Sequence, residues 1–301
     1  MWNIGGSTVD HRCGDDAPFS QPFRSVVPPA KQKVKAAWLV FRISLTIWCC
    51  AEWPRVSVPS WGATQQFVKR IRMESQSQIG ELLDLQKNPV AIAFRDQAPT
   101  GIAKVDTAAV SGCSYWAHAA QGRTFYTDAA DHYGCPVGAH THGIELPEQQ
   151  AEELQGLVGT MVELQYIDME EVGQLPQLSG GFGFAVYAPL AAADFEPDVV
   201  VLSGNPRQMM VLAEAAHAAG ISNASSMVGR PTCAALPAAF QSQRVVTNLG
   251  CIGNRVYTEL SDDELYFVVP GAQLGTLVER LRVLSSANRE LAGFHAGRAA
   301  G

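Results

Sequence analysis

The chain has 301 residues, of which 47% are hydrophobic and 17% are charged, and its formal net charge is −7. This balance is typical of a soluble globular chain that buries a sizeable core. Seven cysteines are too few for a disulfide-rich scaffold. The acidic balance argues against nucleic acid as a main partner, because phosphate contacts need clusters of Lys and Arg.

The first 72 residues differ in charge from the rest of the chain. They carry 10 basic and 4 acidic side chains, whereas residues 73–301 carry 12 and 25. Their one apolar run, "AAWLVFRISLTIWCCA" (36–51), is interrupted by Arg42 and is short for a transmembrane helix. We expect residues 1–72 to be a disordered or non-native extension, with Met73 as the functional start. An anchor or targeting segment is the alternative. The working domain would be 73–301, in the cytoplasm and without a membrane partner.

Strand and helix patterns alternate from residue 79 onwards. Ile79, Leu82 and Leu83 share one face of a short predicted helix, and "NPVAIAF" (88–94) indicates a buried strand. Four later segments predict, in order, a helix, a strand, a second helix and a turn into a strand: "SGCSYWAHAAQG" (111–122), "RTFYTD", "PEQQAEELQGLV" (147–158) and "GGFGFAVYAPL" (180–190).

The clearest unit is "PDVVVLSGNPRQMMVLAEAAHAAG" (197–220). It predicts a buried strand, a tight Ser-Gly turn and a helix that Asn205 caps and Gly220 ends. "ELYFVVP" then predicts a strand, and "AQLGTLVERLRVL" predicts an amphipathic helix. Since strands and helices are interleaved, the predicted fold class is α/β or α+β.

The cysteine segments of the chain indicate an internal repeat. With Cys113 placed on Cys233, "CSYWAHAAQGRTFYTD" aligns with "CAALPAAFQSQRVVTN" without a gap. After four extra residues in the first copy, Gly134-Cys135 corresponds to Gly250-Cys251. This pattern predicts a duplication of about 88–138 and 197–255, with two related halves arranged about a pseudo-twofold axis.

Two such halves would bring Cys113, Cys135, Cys233 and Cys251 toward one place. Cys113 and Cys233 begin predicted helices, where backbone amides and the helix dipole lower the pKa of an exposed thiol. Arg255 follows Cys251 by four residues, in a predicted turn before a strand "VYTE". We expect its guanidinium to point back over the cysteine turn.

Several kinds of chemistry fit this set of residues. Four thiolates could hold an iron–sulfur cluster or a zinc ion for a redox step, with a redox protein as partner. However, the chain has no C-x2-C pair to form half of such a site, and cysteines are often simply small buried hydrophobic residues. The alternatives are a non-catalytic protein that binds an anionic small molecule near Arg255 and Arg230, or a thiol enzyme that uses Cys113 or Cys233. His140 and His142 are further candidate ligands, or part of a solvated turn.

The same motifs carry a family resemblance. The arrangement of "PVAIAF", "SGCSYWAHAAQG", "GCPVG", "PDVVVLSGNP", "PTCAA" and "LGCIGNR" resembles the domain of unknown function family 169, over roughly 79–285. The resemblance implies a fold of this size and a recurring set of residues that match Cys113, Cys135, Cys233, Cys251 and Arg255. It does not imply a reaction, because the family has no settled activity.

Overall fold

A computed structural model describes residues 78–180, 182–224 and 231–301. The expectations for residues 1–72, for Met73 as the start and for Arg230 lie outside these residues.

A six-stranded sheet forms the centre of the described chain. Its strands run in the spatial order β2-β3-β1-β4-β6-β5, and every neighbouring pair is antiparallel. At the centre of the sheet, Val90 lies between Pro189 of β3 and Val201 of β4. The strands are β1 (Val90–Arg95), β2 (Phe125–Asp128), β3 (Phe184–Pro189), β4 (Val199–Gly204), β5 (Val246–Asn248) and β6 (Leu265–Pro270).

Nine α-helices accompany the sheet within the described ranges. They are α1 (Ile79–Leu83), α2 (Gly112–Ala120), α3 (Pro136–Thr141), α4 (Glu148–Glu163), α5 (Met169–Gly173), α6 (Pro206–Ala218), α7 (Ala235–Ser242), α8 (Ile252–Thr258) and α9 (Leu274–Ala300). The predicted start of α6 is accurate. Asn205 caps the helix by accepting a hydrogen bond from Gln208 N at 3.0 Å, and Pro206 is its first residue.

Helices cover both faces of the sheet, which explains why its central strands are continuous apolar runs. Along β4, Val199 and Val201 join the core on one face, and Val200 and Leu202 join the core on the other. Helices α2 and α7 pack on the first face, and α1, α6 and α9 pack on the second. The described chain is therefore a three-layer mixed α/β structure around an antiparallel sheet.

The order of elements is the same on both sides of the central β1–β4 pair. On each side the chain runs strand, helix, strand, helix, strand, and strands β1, β2 and β3 lie on one side while β4, β5 and β6 lie on the other. The first side has α4 and α5 inserted before its last strand, and the second has α6 inserted after its first.

The predicted strand "VYTE" is wrong, because this segment lies in α8 and in the left-handed residue Glu259 that ends it. Within the described ranges, no helix has the length and the apolar character needed to cross a membrane.

Candidate functional site

A cavity of about 710 Å³ opens between the starts of the cysteine-bearing helices and the pair α4–α5. Cys113, Cys135, Cys233 and Cys251 all line it, and they are called the cysteine wall below. Residues that are up to 138 positions apart in the sequence thus meet at one surface.

Each cysteine of this wall lies where a helix begins. Cys113 is the second residue of α2, and Cys233 lies in the short 3-10 turn Thr232–Ala234 that leads into α7. Cys135 is the N-cap of α3, and Cys251 is the N-cap of α8. The strand–helix connections of the two sides of the sheet therefore supply two cysteines each.

Backbone contacts hold the wall in place. Asn254 N donates a hydrogen bond to Cys251 Sγ at 3.4 Å, and Cys251 N donates one to Thr232 Oγ1 at 2.6 Å. In the other half, a Cβ atom at position 138 would lie only 2.9 Å from Cys135 Sγ, so Gly138 lets this thiol lie against α3. Gly250 has φ +80°, a conformation that favours glycine and directs the chain into α8.

The expected low pKa of Cys113 and Cys233 is wrong, because both thiols are buried. Burial raises the pKa of the Cys113 thiol well above its ordinary value, and the neighbouring Cys233 raises it further. Burial likewise raises the pKa of Cys233 to about 12, with a smaller contribution from Cys135. The loss of hydration outweighs the helix ends at these two positions.

The described residues do not form a closed metal site. Although the four thiols line one wall, no group of three or more His, Cys, Asp or Glu side chains in 78–180, 182–224 and 231–301 is arranged to hold a metal ion. The thiols are free cysteines, with Cys113 and Cys233 buried and Cys135 and Cys251 partly exposed.

Another part of the cavity lining is apolar and helical. Leu154, Val158 and Met161 form a stripe with helical spacing along α4 and line the cavity, and Met169 of α5 continues it. Neither helix has a buried residue. Among the described lining residues there is no lysine or arginine, and Glu171 is the single carboxylate.

A buried amide also lines the cavity. Asn254 is 1% exposed, and its Nδ2 group donates a hydrogen bond to Tyr266 Oη at 3.3 Å. Its Oδ1 atom has no hydrogen-bond partner among the described residues, and its amide also lies within hydrogen-bonding reach of the Cys113 thiol. A buried acceptor without a partner is destabilising by about 1–3 kcal/mol, so this side chain has capacity for a further donor.

Comparison with known proteins identifies the family of this chain. The model of the family DUF169, described as "Uncharacterised ArCR", matches residues 78–280. The chain belongs to this family. It is also similar to the Uncharacterized protein MJ0308 of Methanocaldococcus jannaschii, with 27% identity over 223 residues that cover 71% of this chain and 94% of that protein. No solved structure matches the chain.

In this DUF169 protein, Arg255 binds backbone carbonyl groups, one of them directly before the Gly250-Cys251 turn. Its guanidinium donates hydrogen bonds to three backbone carbonyl oxygens, those of Leu249 at 2.5 Å, Ser261 at 2.8 Å and Glu264 at 3.0 Å. It is not among the residues that line the cavity. The side chain thus joins the segment before α8 to the segment after it.

The three histidines of residues 132–142 separate into two groups. His140 lines the cavity beside Cys135. His132 and His142 are buried instead, with their ring centroids 5.5 Å apart, and His132 Nε2 lies 2.9 Å from Thr127 Oγ1. Burial lowers the pKa of His132 to about 4 and that of His142 to about 3, so both rings are neutral core residues at neutral pH.

The apolar wall and the buried amide of the DUF169 site are not among the residues predicted from the sequence. The spacing of Leu154, Val158 and Met161 was available as a signal, because it is the periodicity of one helix face. Asn254 gave no such signal, because an asparagine in a glycine-bounded segment is more often part of a turn.

Proposed function

We propose that this DUF169 protein binds a small molecule in the four-cysteine cavity. The observation that carries the proposal is the cavity itself, about 710 Å³ in volume, which is lined both by an apolar helical stripe and by four thiols. Small-molecule sites typically measure about 300–1,000 Å³, and they combine an apolar lining with a few polar groups that orient the ligand. Here Asn254, His140 and the thiols are the candidate orienting groups.

A second candidate is a thiophilic metal ion or an iron–sulfur cluster held by the cysteine wall, for a redox role with a partner protein. The specific observation in its favour is that four thiols from four separate segments line one surface. Because the pKa values of Cys113 and Cys233 are raised, binding would have to displace their protons. Metal affinity would then rise with pH.

A thiol enzyme receives less support. A nucleophilic cysteine reacts as the thiolate, and it is activated where its pKa is low. The raised pKa values of Cys113 and Cys233 favour the neutral thiol instead. An anionic ligand near Arg255 is likewise not favoured, because the Arg255 guanidinium is engaged by carbonyl oxygens.

One purification tests both candidates. Full-length protein is purified without oxygen, and the cavity-filling variant Val158→Trp is prepared in parallel. Thr160→Trp, on the same helix, is the control, because Thr160 is not among the residues that line the cavity. We expect an organic extract of the wild type and of Thr160→Trp to contain a stoichiometric compound that the extract of Val158→Trp lacks. Equal recovery of every extracted compound from all three proteins would contradict the small-molecule proposal.

Iron, acid-labile sulfide and zinc are measured on the same samples. Stoichiometric metal that is lost in the variant Cys113→Ser/Cys233→Ser would favour the second candidate. Metal-free protein with a bound organic compound would favour the first.

We also infer that the two sides of the sheet arose by duplication. Their common order of strands and helices supports this, as do the paired positions of Cys113 with Cys233 and of Cys135 with Cys251. An experimental structure tests the inference. A twofold rotation about an axis between β1 and β4 should superpose β1, β2 and β3 on β4, β5 and β6, and Cys113 on Cys233. A superposition that pairs the strands in a different order would contradict it.

A further inference from the structure

Helices α4 and α5, called the cover helices below, carry an apolar surface that the described protein does not bury. In α4, Leu154, Val158 and Met161 line the cavity and are only half-buried, and none of the 16 residues of the helix is fully buried. In α5, Met169 is 62% exposed. A helix of this kind is normally stabilised by burying its apolar stripe against a core, and the described residues cover the stripe of the cover helices only in part.

Backbone hydrogen bonds hold the two ends of the segment that carries the cover helices, residues 145–177. On one side, Ile144 N donates a hydrogen bond to Ala139 O at 2.9 Å, directly after Gly143, which has φ +67°. On the other side, Leu178 is 2% exposed, and its N–H donates to Thr141 O at 2.9 Å. Both anchors lie on or beside α3, so residues 145–177 form a loop whose two ends are held at one place.

We propose that the cover helices are a lid that closes over a predominantly apolar small molecule, which completes their buried face. The inference rests on the proposed function, because it assigns the ligand class and the moving element of the same cavity. The cysteine wall and the apolar stripe line the same cavity of about 710 Å³, and a cavity of this size fits a small molecule better than a flat protein surface. The described lining offers apolar side chains and one carboxylate, so an uncharged and largely hydrocarbon ligand matches it.

The ligand in this proposal interacts with both walls of the cavity. Its hydrocarbon part lies against Leu154, Val158 and Met161, and the rest of it lies against the cysteine wall. Closure removes the apolar stripe from water, which supplies the free energy of binding. Without ligand, the lid opens readily because little buried surface holds it.

The neutral apolar fluorophore N-phenyl-1-naphthylamine serves as the probe, added to the full-length protein. We expect its fluorescence to rise with saturable binding, and Val158→Asp to weaken that binding at least about tenfold, because a carboxylate in the apolar wall costs solvation. Thr160→Asp adds the same charge to the outer side of α4 and should change binding by less than about twofold. Equal weakening by both variants, or no saturable binding by the wild type, would overturn the apolar ligand class.

Hydrogen exchange measures the lid directly. Amides of α4 should exchange faster than those of α2 in the protein without probe, and the probe should slow exchange in residues 148–173 while leaving α9 unchanged. Unchanged exchange in α4 at saturating probe would overturn the lid. Light scattering is recorded on the same samples, because a dimer that dissociates in Val158→Asp would show that a second copy, and not a small molecule, covers the stripe.

A failure of the apolar-ligand proposal can be told apart from a failure of the proposed function. The wild type could still yield a stoichiometric compound on extraction although the probe does not bind. In that case the cavity would hold a ligand of a different class.

Discussion

Burial, more than position on a helix, sets the protonation of Cys113 and Cys233. Both residues lie where a helix begins, and helix starts favour the thiolate. Each is only 4% exposed, however, and the cost of removing a charged sulfur from water exceeds the benefit of the nearby backbone amides. The neighbouring thiols add repulsion between thiolates, which raises the pKa further.

The four thiols should therefore differ in reactivity. With iodoacetamide at pH 8, we expect Cys135 and Cys251 to be alkylated first, because they are partly exposed. Cys113 and Cys233 should react more slowly, because burial raises the pKa of both thiols. At a pKa of about 12, only about one Cys233 thiol in 10,000 is ionised at that pH. Peptide mapping by mass spectrometry gives each rate. In urea the four rates should converge, and equal rates in the native protein would show that the buried pair is accessible.

Two neutral histidines in the core make stability depend on pH. The pKa values of His132 and His142, about 4 and about 3 in the folded protein, lie below the ordinary value of 6.5 because both rings are buried. Below pH 6.5 the unfolded chain binds protons that the folded chain does not. The contribution of these two histidines to the free energy of unfolding is therefore fully present above pH 6.5. It is lost as the pH falls, down to about pH 4 for His132 and about pH 3 for His142.

We predict that His142→Phe reduces this dependence. Its Nε2 atom has no hydrogen-bond partner among the described residues, and its ring lies 5.9 Å from that of Phe94, so an apolar ring suits the site. Between pH 6.5 and 4, the free energy of unfolding should fall less steeply than in the wild type, by up to about 1.4 kcal/mol per pH unit. Urea denaturation at several pH values measures the slope. The exposed His217→Phe should leave the slope as in the wild type, and a parallel slope for both variants would contradict the assignment.

At the scale of elements, α8 depends on an arginine that binds the backbone. Arg255 lies in the helix and donates to carbonyl oxygens of Leu249, Ser261 and Glu264, which lie before and after it. Since α8 has only seven residues, it is too short to be stable alone. The arginine fork thus holds the loop that carries Cys251 at the cavity.

Arg255→Ala is expected to destabilise the protein by about 1–3 kcal/mol, because several hydrogen bonds from a charged donor are lost together. Arg255→Lys should restore only part of this, because one ammonium group does not reproduce the planar fork. Chemical denaturation measures both variants. Arg289→Ala, on an exposed part of α9, serves as the control and should change stability by less than about 0.5 kcal/mol. If Arg255→Ala behaved like this control, the carbonyl contacts would contribute nothing measurable.

At the scale of the whole molecule, the two sides of the sheet share their cores. Strands β1 and β4 are paired at the centre, with Ile92 opposite Val199. The core on one face combines Tyr115 and Tyr187 of the first side with Leu236 and Val268 of the second. Neither side buries its apolar surface without the other.

We therefore expect residues 78–280 to unfold as one cooperative unit. Native-state hydrogen exchange should give amides of β1 and β4 the same free energy of opening, within about 0.5 kcal/mol, because global unfolding exposes both. Val200→Ala, in β4, should lower the two values equally. A lower value for β1 than for β4, or an effect confined to β4, would show instead that the two sides open independently.

The sequence by itself determined most of the elements and the identity of the thiols. Periodicity, the cap at Asn205 and glycines at helix ends are local properties, so they located β1, α2, β4 and α6 to within a few residues. The alignment of Cys113 with Cys233 also brought out the four cysteines that line one cavity.

Tertiary structure alone decided what surrounds those residues. The antiparallel order of the sheet, the burial that raises the thiol pKa values and the carbonyl partners of Arg255 all depend on contacts between residues far apart in the chain. The segment "VYTE" illustrates the reason. Its β-branched and aromatic residues favour a strand locally, but Gly250, the Cys251 cap and the Arg255 contacts place it in α8. Local propensity amounts to tenths of a kcal/mol per residue, and packing contacts of about 1 kcal/mol or more override it.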